Sequence, residues 1–243
     1  MTVKLTFLGT RGYIKPRTER HYMMASLLVS YRHTRIIIDR GEDWIGNDNW
    51  YGAHAVLLTH AHPDHAWGLK AGAPCPVYAS KDSWERMGSF QIEKRRTAGI
   101  RVPVTVGDMT FEAFGVEHST RAPAVGYRFT CGRHSFFYAP DLVYIYDRKD
   151  ALAGAEMYIG DGSTVDISFV RKRQGALIGH SPIRTELTWC HKEGVPLMIV
   201  THCGAQIVGA EDEQVLIDRI DAFAAEREVK AAVAFDGMEL LLR

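Results

Sequence analysis

The sequence has no excess of either charge: 29 Lys and Arg residues are matched by 29 Asp and Glu. Net charge therefore gives no sign of nucleic acid or an anionic membrane as a partner, although local patches can outweigh a total. Long apolar runs are also missing. Stretches such as Leu197–Val200 are far too short to span a bilayer. The opening MTVKLTFLGT lacks the extended apolar core and small-residue cleavage site of a signal peptide. Cysteine is sparse and scattered: Cys75, Cys131, Cys190 and Cys203 form no CxxC pair, so reduced thiols are expected rather than a disulfide framework. No Pro/Ser-rich linker, low-complexity tract or repeat divides the chain. These absences point to one soluble, cytoplasmic domain over residues 1–243, and a 46% hydrophobic content is ample for its core.

The patterning is that of short strands joined by turns, with a few helices. Val3–Leu8 alternates and stops at Gly9, and Ser26–Ser30 with Arg35–Asp39 reads as a hairpin turning near Arg32–Thr34. Ala55–Thr59 is a brief apolar strand, and Pro63 and Gly72 bracket a short helix over 64–70. Further strands are expected near 102–106, 109–116, 124–130, 134–139, 156–160, 196–201 and 238–242, with helices over 80–88, 182–193 and 212–227. Ser181 as cap, Pro182 at the first helical position and Gly194 beyond the end frame the second of these helices. Strands arrive in two batches, each with helices attached. Two face-to-face sheets with helices outside would bury such a pattern, an α/β (α+β) architecture.

The segment Leu57-Leu58-Thr59-His60-Ala61-His62-Pro63-Asp64-His65 places four metal-ligand side chains within six positions. His60 and His62 leave an extended strand two residues apart and so point to one side. Asp64 and His65 follow the turn. Imidazole and carboxylate together suit zinc, with manganese or iron as lesser options. A lone histidine would be an ordinary polar residue, but HxHxDH directly after an apolar strand is a specific signal. One short turn cannot complete two coordination shells, so other ligands must come from elsewhere.

THAHPDH resembles the signature of the metallo-β-lactamase superfamily, and the similarity extends over nearly the whole chain. FLGTRGY resembles that family's opening strand and glycine loop, and IIIDRGED its strand–Asp–x–Gly segment. GVEHSTRAPAVGYRF, FFYAPDLV and IVTHCG resemble the segments carrying its distant ligands, although many relatives have Gly where Pro140 stands. The resemblance implies a four-layer αββα sandwich of two mixed sheets with a dinuclear site at one edge. It implies one zinc on His60, His62 and His118, a second on Asp64, His65 and His202, and Asp141 shared, with Asp39 orienting ligands from behind. Such a pair, roughly 3.5–4 Å apart, bridges a hydroxide that is nucleophilic at neutral pH.

The ligands do not choose between amides, thioesters, lactones and phosphodiesters. Gly179-His180-Ser181 resembles the GHS element of the phosphodiesterase branch, which includes ribonuclease Z and small cyclic phosphodiesterases. That resemblance assigns His180 to the scissile phosphate and leaving oxygen, with Asp161 of YIGDGST as its acidic partner. His180, Asp64 and Asp161 are thus the expected catalytic residues, although His180 at a helix start and Asp161 in a turn also have plain structural readings. AFDGMELLL resembles the end of small phosphodiesterases, while Asp236-Gly237 also reads as a hairpin turn. Only 22 residues lie between His118 and Asp141. That is too few for the long arm with which ribonuclease Z grips tRNA, and it argues against tRNA processing.

The expected substrate is a small, cyclic or nucleotide phosphodiester. Hydrolysis of carboxylic esters, lactones or thioesters, or a non-hydrolytic metal-binding role, are the alternatives. Lys94-Arg95-Arg96, Arg121, Arg171-Lys172-Arg173 and Arg184 could recognise anionic groups, those flanking His180 being the better candidates. Trp44, Trp50, Tyr51 and Trp67 could line a pocket, although core packing is the usual fate of such rings. Members of this family are often dimers, so a homodimer is compatible with the resemblance.

Overall fold

The computed structural model describes all 243 residues. Its first sheet uses β1 (Val3–Gly9), β2 (Ser26–Tyr31), β3 (Thr34–Ile38), β4 (Ala55–Leu57), β5 (Val77–Ala79) and β6 (Arg95–Thr97). Its second uses β7 (Val104–Val106), β8 (Met109–Glu117), β9 (Ala124–Cys131), β10 (His134–Tyr138), β11 (Tyr144–Ile145) and β12 (Met157–Asp161). A separate two-stranded hairpin follows, β13 (Arg171–Arg173) and β14 (Ala176–Ile178). Then β15 (Leu197–Thr201) and β16 (Lys230–Val233) extend the second sheet, and β17 (Glu239–Leu242) returns to pair with β1. The first sheet runs β17-β1-β2-β3-β4-β5-β6, and the second β11-β8-β9-β10-β12-β15-β16 with β7 against β8.

Three apolar clusters make four layers. Between the sheets lie inward side chains such as Leu5, Val29, Ile36, Ile38, Phe129, Phe136 and Ile159. Alternate residues of the same strands, Leu28, Ile37 and Val56, pack outward with Trp44 and Leu69 under the first sheet's helices. Phe114, Phe137 and Tyr158 do the same for the second sheet, with Leu187, Trp189 and Ile220 of its helices. Strands buried on both faces read as continuous apolar runs, which is why Ile36-Ile37-Ile38 shows no alternation. The helices are α1 (Pro63–Ala66), α2 (Lys81–Arg86), α3 (Arg148–Leu152), α4 (Ile183–Glu193), α5 (Ala205–Val208) and α6 (Glu213–Ala225). None is long and apolar enough to cross a membrane.

Several expectations are corrected. The helix over 64–70 stops at Ala66, and a 3₁₀ turn covers Trp67–Leu69. The N–H of Gly68 is diverted to the Arg40 carbonyl at 2.9 Å, which breaks the helical ladder. α4 begins at Ile183 with Pro182 as N-cap and no side-chain cap; Ser181, outside the helix, donates its N–H to the Leu142 carbonyl. Asp236-Gly237 is no hairpin turn, since β16 and β17 lie in different sheets. In the basic run 94–96, Lys94 and Arg96 are exposed, while Arg95 opens the edge strand β6 and bonds the carbonyls of Met87, Gly88 and Phe90. α3, β5, β16 and the β13–β14 hairpin had no periodic signal long enough to announce them.

Candidate metal centre and its imidazole–carboxylate dyad

Every candidate side chain sits at or just past the C-terminal end of a strand. His60 follows β4, His118 follows β8, Asp141 lies three residues beyond β10, Asp161 ends β12, and His202 follows β15. Parallel pairing of β10, β12 and β15 brings their ends to one edge. The first sheet contributes the β4 end opposite, where Val125 donates its N–H to Thr59 and the Tyr127 hydroxyl donates to Leu58. Sequence positions 142 residues apart, His60 and His202, thus meet at one cleft.

The HxHxDH loop is held from beneath by Asp39. Its Oδ1 accepts the Thr59 N–H and its Oδ2 the Thr59 hydroxyl, both at 2.8 Å, and His65 Nδ1 lies 2.9 Å from Oδ2. That bond fixes the His65 tautomer and turns Nε2 toward the cluster, where this buried nitrogen has no hydrogen-bond partner. Gly41 makes the approach feasible: a Cβ there would lie 1.9 Å from the Asp64 carbonyl oxygen. Asp39 and His202 themselves take left-handed backbone, φ 59° and 53°, which ordered residues adopt only where their surroundings hold them there.

Two donor groups result. In the first, His60 Nε2 lies 2.9 Å and His118 Nε2 3.2 Å from His62 Nδ1, with Asp141 Oδ2 3.6 Å from His60. Burial lowers the pKa of His60 well below 6.5 and that of His62 to about 4. Low pKa values disfavour charge on these two rings, and with His118 they bring three ring nitrogens close together. In the second group, His202 Nε2 lies 3.2 Å from Asp64 Oδ2 and 3.9 Å from Asp141 Oδ2, and His65 Nε2 lies 3.4 Å from Asp64 Oδ2. Burial opposes ionisation of Asp64 and Asp141, yet the surrounding imidazoles hold both carboxyls well below their usual range. The donor atoms of each group fall within 4.8 Å of one another. Clustered ring nitrogens, paired carboxylates, the unpartnered His65 Nε2 and a buried unpartnered Asp141 oxygen fit divalent cations.

Beside them sits a dyad. His180 Nδ1 lies 2.9 Å from Asp161 Oδ2 and 2.9 Å from Asp141 Oδ1. Burial disfavours its charge, but the two carboxylates outweigh burial and push its pKa up to about 11. Its side chain is 27% exposed, against 5% or less for Asp64, His65, His118, Asp141 and His202, so this ring, like the half-buried His62, is presented to the cleft. Asp161 is fully buried. Its Oδ1 accepts the Ser163 N–H and its Oδ2 the Leu142 N–H, and its own N–H donates to Glu186 Oε2 at 3.0 Å.

Glu186 of α4, which the sequence reading missed, also accepts the Tyr158 hydroxyl at 2.7 Å. Burial and the Asp161 charge raise its pKa well above 4.5, and this carboxyl backs the dyad from behind. A Cβ on Gly160 would lie 2.3 Å from Glu186 Oε2, so the glycine in YIGDGST makes room for that carboxyl. The available signal was a lone acidic residue on the otherwise apolar inner face of α4.

The cleft above is a cavity of about 420 Å³ with His62, His180 and His202 among its lining and Tyr13, Ile14 and Phe169 as apolar walls. The Tyr13 wall is anchored by Asp236, which accepts the N–H groups of Tyr22 and Met23 and the Thr10 hydroxyl. That is the work of the AFDGM segment. The aromatics singled out in the sequence lie elsewhere: Trp44 and Trp50 flank the Arg40 guanidinium, and Trp67 lies against Lys70. Arg184 packs over Phe223.

A four-layer sandwich with a histidine–carboxylate cluster at the edge where its strands end defines the metallo-β-lactamase class of fold. The family described as the beta-lactamase superfamily domain matches residues 34–203, and the chain belongs to that family. Among curated relatives, the exodeoxyribonuclease YycJ of Bacillus anthracis is 30% identical over 124 residues, 48% of this chain and 46% of that protein. A ribonuclease Z of Methanopyrus kandleri is 29% identical over 141 residues, 51% of this chain and 49% of that protein. The chain thus spans about half the length of the curated relatives it matches. Among solved structures, the metallo-beta-lactamase fold protein YhfI of Bacillus subtilis superposes with a TM-score of 0.76 at 16% identity, covering all of both chains. A diphosphatase of the PhnP family gives 0.73 at 18% identity over 99% of this chain and 98% of that one. At these identities the superpositions speak for the fold.

Proposed function

We propose that this chain is a metal-dependent phosphodiesterase, with a small, cyclic or nucleotide phosphodiester as substrate. The observation that carries the reading is the His180–Asp161 dyad placed beside the ligand cluster and open to the cleft. Names among the relatives, an exodeoxyribonuclease and ribonucleases Z, support it. In this reading residues 1–243 act as one domain. His60, His62 and His118 hold one zinc and Asp64, His65 and His202 a second, with Asp141 serving both.

Ions bound there would neutralise phosphate charge and activate water for attack. The chain's own residues do the rest. Asp161 fixes His180 through Nδ1, which leaves Nε2 as the nitrogen facing the substrate. Asp161 favours the protonated ring, from which Nε2–H can donate to the departing oxygen as it gains charge. Asp64 and Asp141 remain ionised throughout. Tyr13, Ile14 and Phe169 give the cleft its apolar walls.

Protein reconstituted with zinc or manganese should hydrolyse bis-p-nitrophenyl phosphate. His180→Ala should slow this by about 10²–10⁴-fold, the usual contribution of a positioned acid, while bound metal measured by mass spectrometry stays unchanged. Equal activity in the variant would remove His180 from the chemistry. Faster turnover of lactones or thioesters than of any phosphodiester would overturn the substrate class, and protein that retains no metal after reconstitution would favour a non-hydrolytic role.

A further inference from the structure

The β13–β14 hairpin belongs to neither sheet. It stands between the two ends of the cleft's own wall. At its base the Phe169 N–H donates to the His180 carbonyl at 3.3 Å, and the Gly179 N–H donates to the His118 carbonyl at 3.0 Å. The left-handed backbone of Gln174 and Gly175 turns its tip. One strand is Arg171-Lys172-Arg173, all exposed. None of the three forms an ion pair, although the nearby Asp166 is engaged, by Arg219. Strand alternation sets Arg171 and Arg173 on one face, about 7 Å apart, and Lys172 on the other.

The mouth of the cleft carries a second unexplained feature. Tyr13 is 60% exposed and Phe169 43% exposed, and both line the same cavity as His180. Both rings leave apolar faces open at the rim of this cavity, where a ligand entering it can cover them. Lys15 adds another cation beyond Tyr13, likewise without an ion pair. Arg171, Lys172 and Arg173 are not among the residues lining the cavity, so a ligand that meets both them and the cleft must extend beyond it.

We infer that the β13–β14 hairpin and the Tyr13/Phe169 pair hold a single-stranded polynucleotide across the mouth of the cleft. The purpose of that strand rests on the phosphodiesterase reading, because it would be fed toward His180. Phosphates supply the charge that Arg171, Lys172 and Arg173 lack, and base faces supply the apolar planes that Tyr13 and Phe169 lack. Unpaired bases are needed, since paired ones already stack their faces on neighbours. Cations without aromatics would serve a phosphate or a membrane equally. The two together, on the rim of a cavity that ends at a phosphodiester-cleaving dyad, favour a strand.

The test is fluorescence anisotropy of a fluorescein-labelled ten-residue oligothymidylate, titrated with metal-loaded His180→Ala protein so that the probe survives. Micromolar binding at low salt is expected. Adding R171A, K172A and R173A should weaken it about tenfold or more, and should reduce the slope of log Kd on log salt by about 2, near 0.7 per lost phosphate contact. Replacing Arg171 and Arg173 by Lys should retain most of the affinity. Tyr13→Ala with Phe169→Ala should weaken it about tenfold and leave the salt slope alone. Circular dichroism and metal content report whether each variant is folded.

Unchanged binding in the triple variant overturns the inference. So does equal affinity for the duplex of the same length, or binding of phosphatidylserine vesicles in preference to the oligonucleotide. Wild-type protein that hydrolyses bis-p-nitrophenyl phosphate but ignores the oligonucleotide sinks the strand and spares the phosphodiesterase. Oligonucleotide bound through the hairpin with no phosphodiester cleaved does the reverse.

Discussion

Two of the segments that deliver residues to the cleft are built in opposite ways. The loop from Leu58 to Ala66 is enclosed: Asp39 bonds it from below, Gly41 touches it, Tyr127 ties its entry, and most of its side chains are buried. The segment from Ser163 to Ser181 starts and ends in buried residues but spends its middle as an exposed basic hairpin. Metal ligands must be held to a few tenths of an ångström and need a rigid surround, whereas a grip on a charged, flexible ligand needs reach and unpaired cations. The difference separates what the site can do from what it can be given.

The enclosed loop should be brittle. Gly41→Ala would set a Cβ against the Asp64 carbonyl, a main-chain atom that has nowhere to move. A loss of about 3 kcal/mol in urea unfolding is expected, with bound metal much reduced. A variant with wild-type midpoint and full metal would mean that this contact does not hold the loop. Next in size is the backing of the dyad. Glu186→Ala removes the acceptor of the Asp161 N–H and leaves a cavity, and should lower kcat about tenfold with KM nearly unchanged. Glu186→Gln keeps an oxygen for both donors and should restore most of the rate. Glutamine fills the same volume, so equal loss in both variants would show that neither packing nor an accepting oxygen suffices, and would overturn this backing role.

The same contrast governs what was legible in the sequence. HxHxDH after an apolar run, the strand ends before His118 and His202, and Gly194 past α4 are local signals, so ligand candidates and sheet strands could be read directly. Asp161 could be paired with His180 through resemblance, yet Glu186 could not, because its partner is a main-chain N–H from another strand. The hairpin escaped because three-residue strands carry no periodicity. Asp236 does sit in a turn, though not of a hairpin, and its acceptor role escaped because it depends on Thr10 and Tyr22, more than 200 positions away.

A smaller effect concerns the Tyr13 wall. His21 is buried, its Nδ1 2.8 Å from the Thr10 hydroxyl, and burial lowers its pKa despite Glu213 and Asp236 nearby. A histidine held neutral in the fold binds a proton more readily when unfolded, so its contribution is present above about 6.5 and is lost as pH falls toward the folded value. The metal ligands titrate too, so the comparison is a difference. Relative to His21→Gln, wild-type protein should lose unfolding midpoint faster between pH 7 and 5. Parallel pH profiles would dismiss His21 as a source of the slope.

The smallest expected effect lies in the hairpin itself. Arg171, Lys172 and Arg173 bury nothing, form no ion pair and repel one another, so they contribute no stabilising contact that alanine would remove. The triple alanine variant should unfold within about 0.5 kcal/mol of the parent, and relief of repulsion makes a slight gain the natural direction. A loss beyond about 1 kcal/mol would show that these side chains hold the cleft wall together, and the contrast between an enclosed loop and a free hairpin would fail. Unchanged stability alongside weakened oligonucleotide binding would place the three cations on the side of the ligand, since the folded chain alone gives no reason to keep three unpaired charges together.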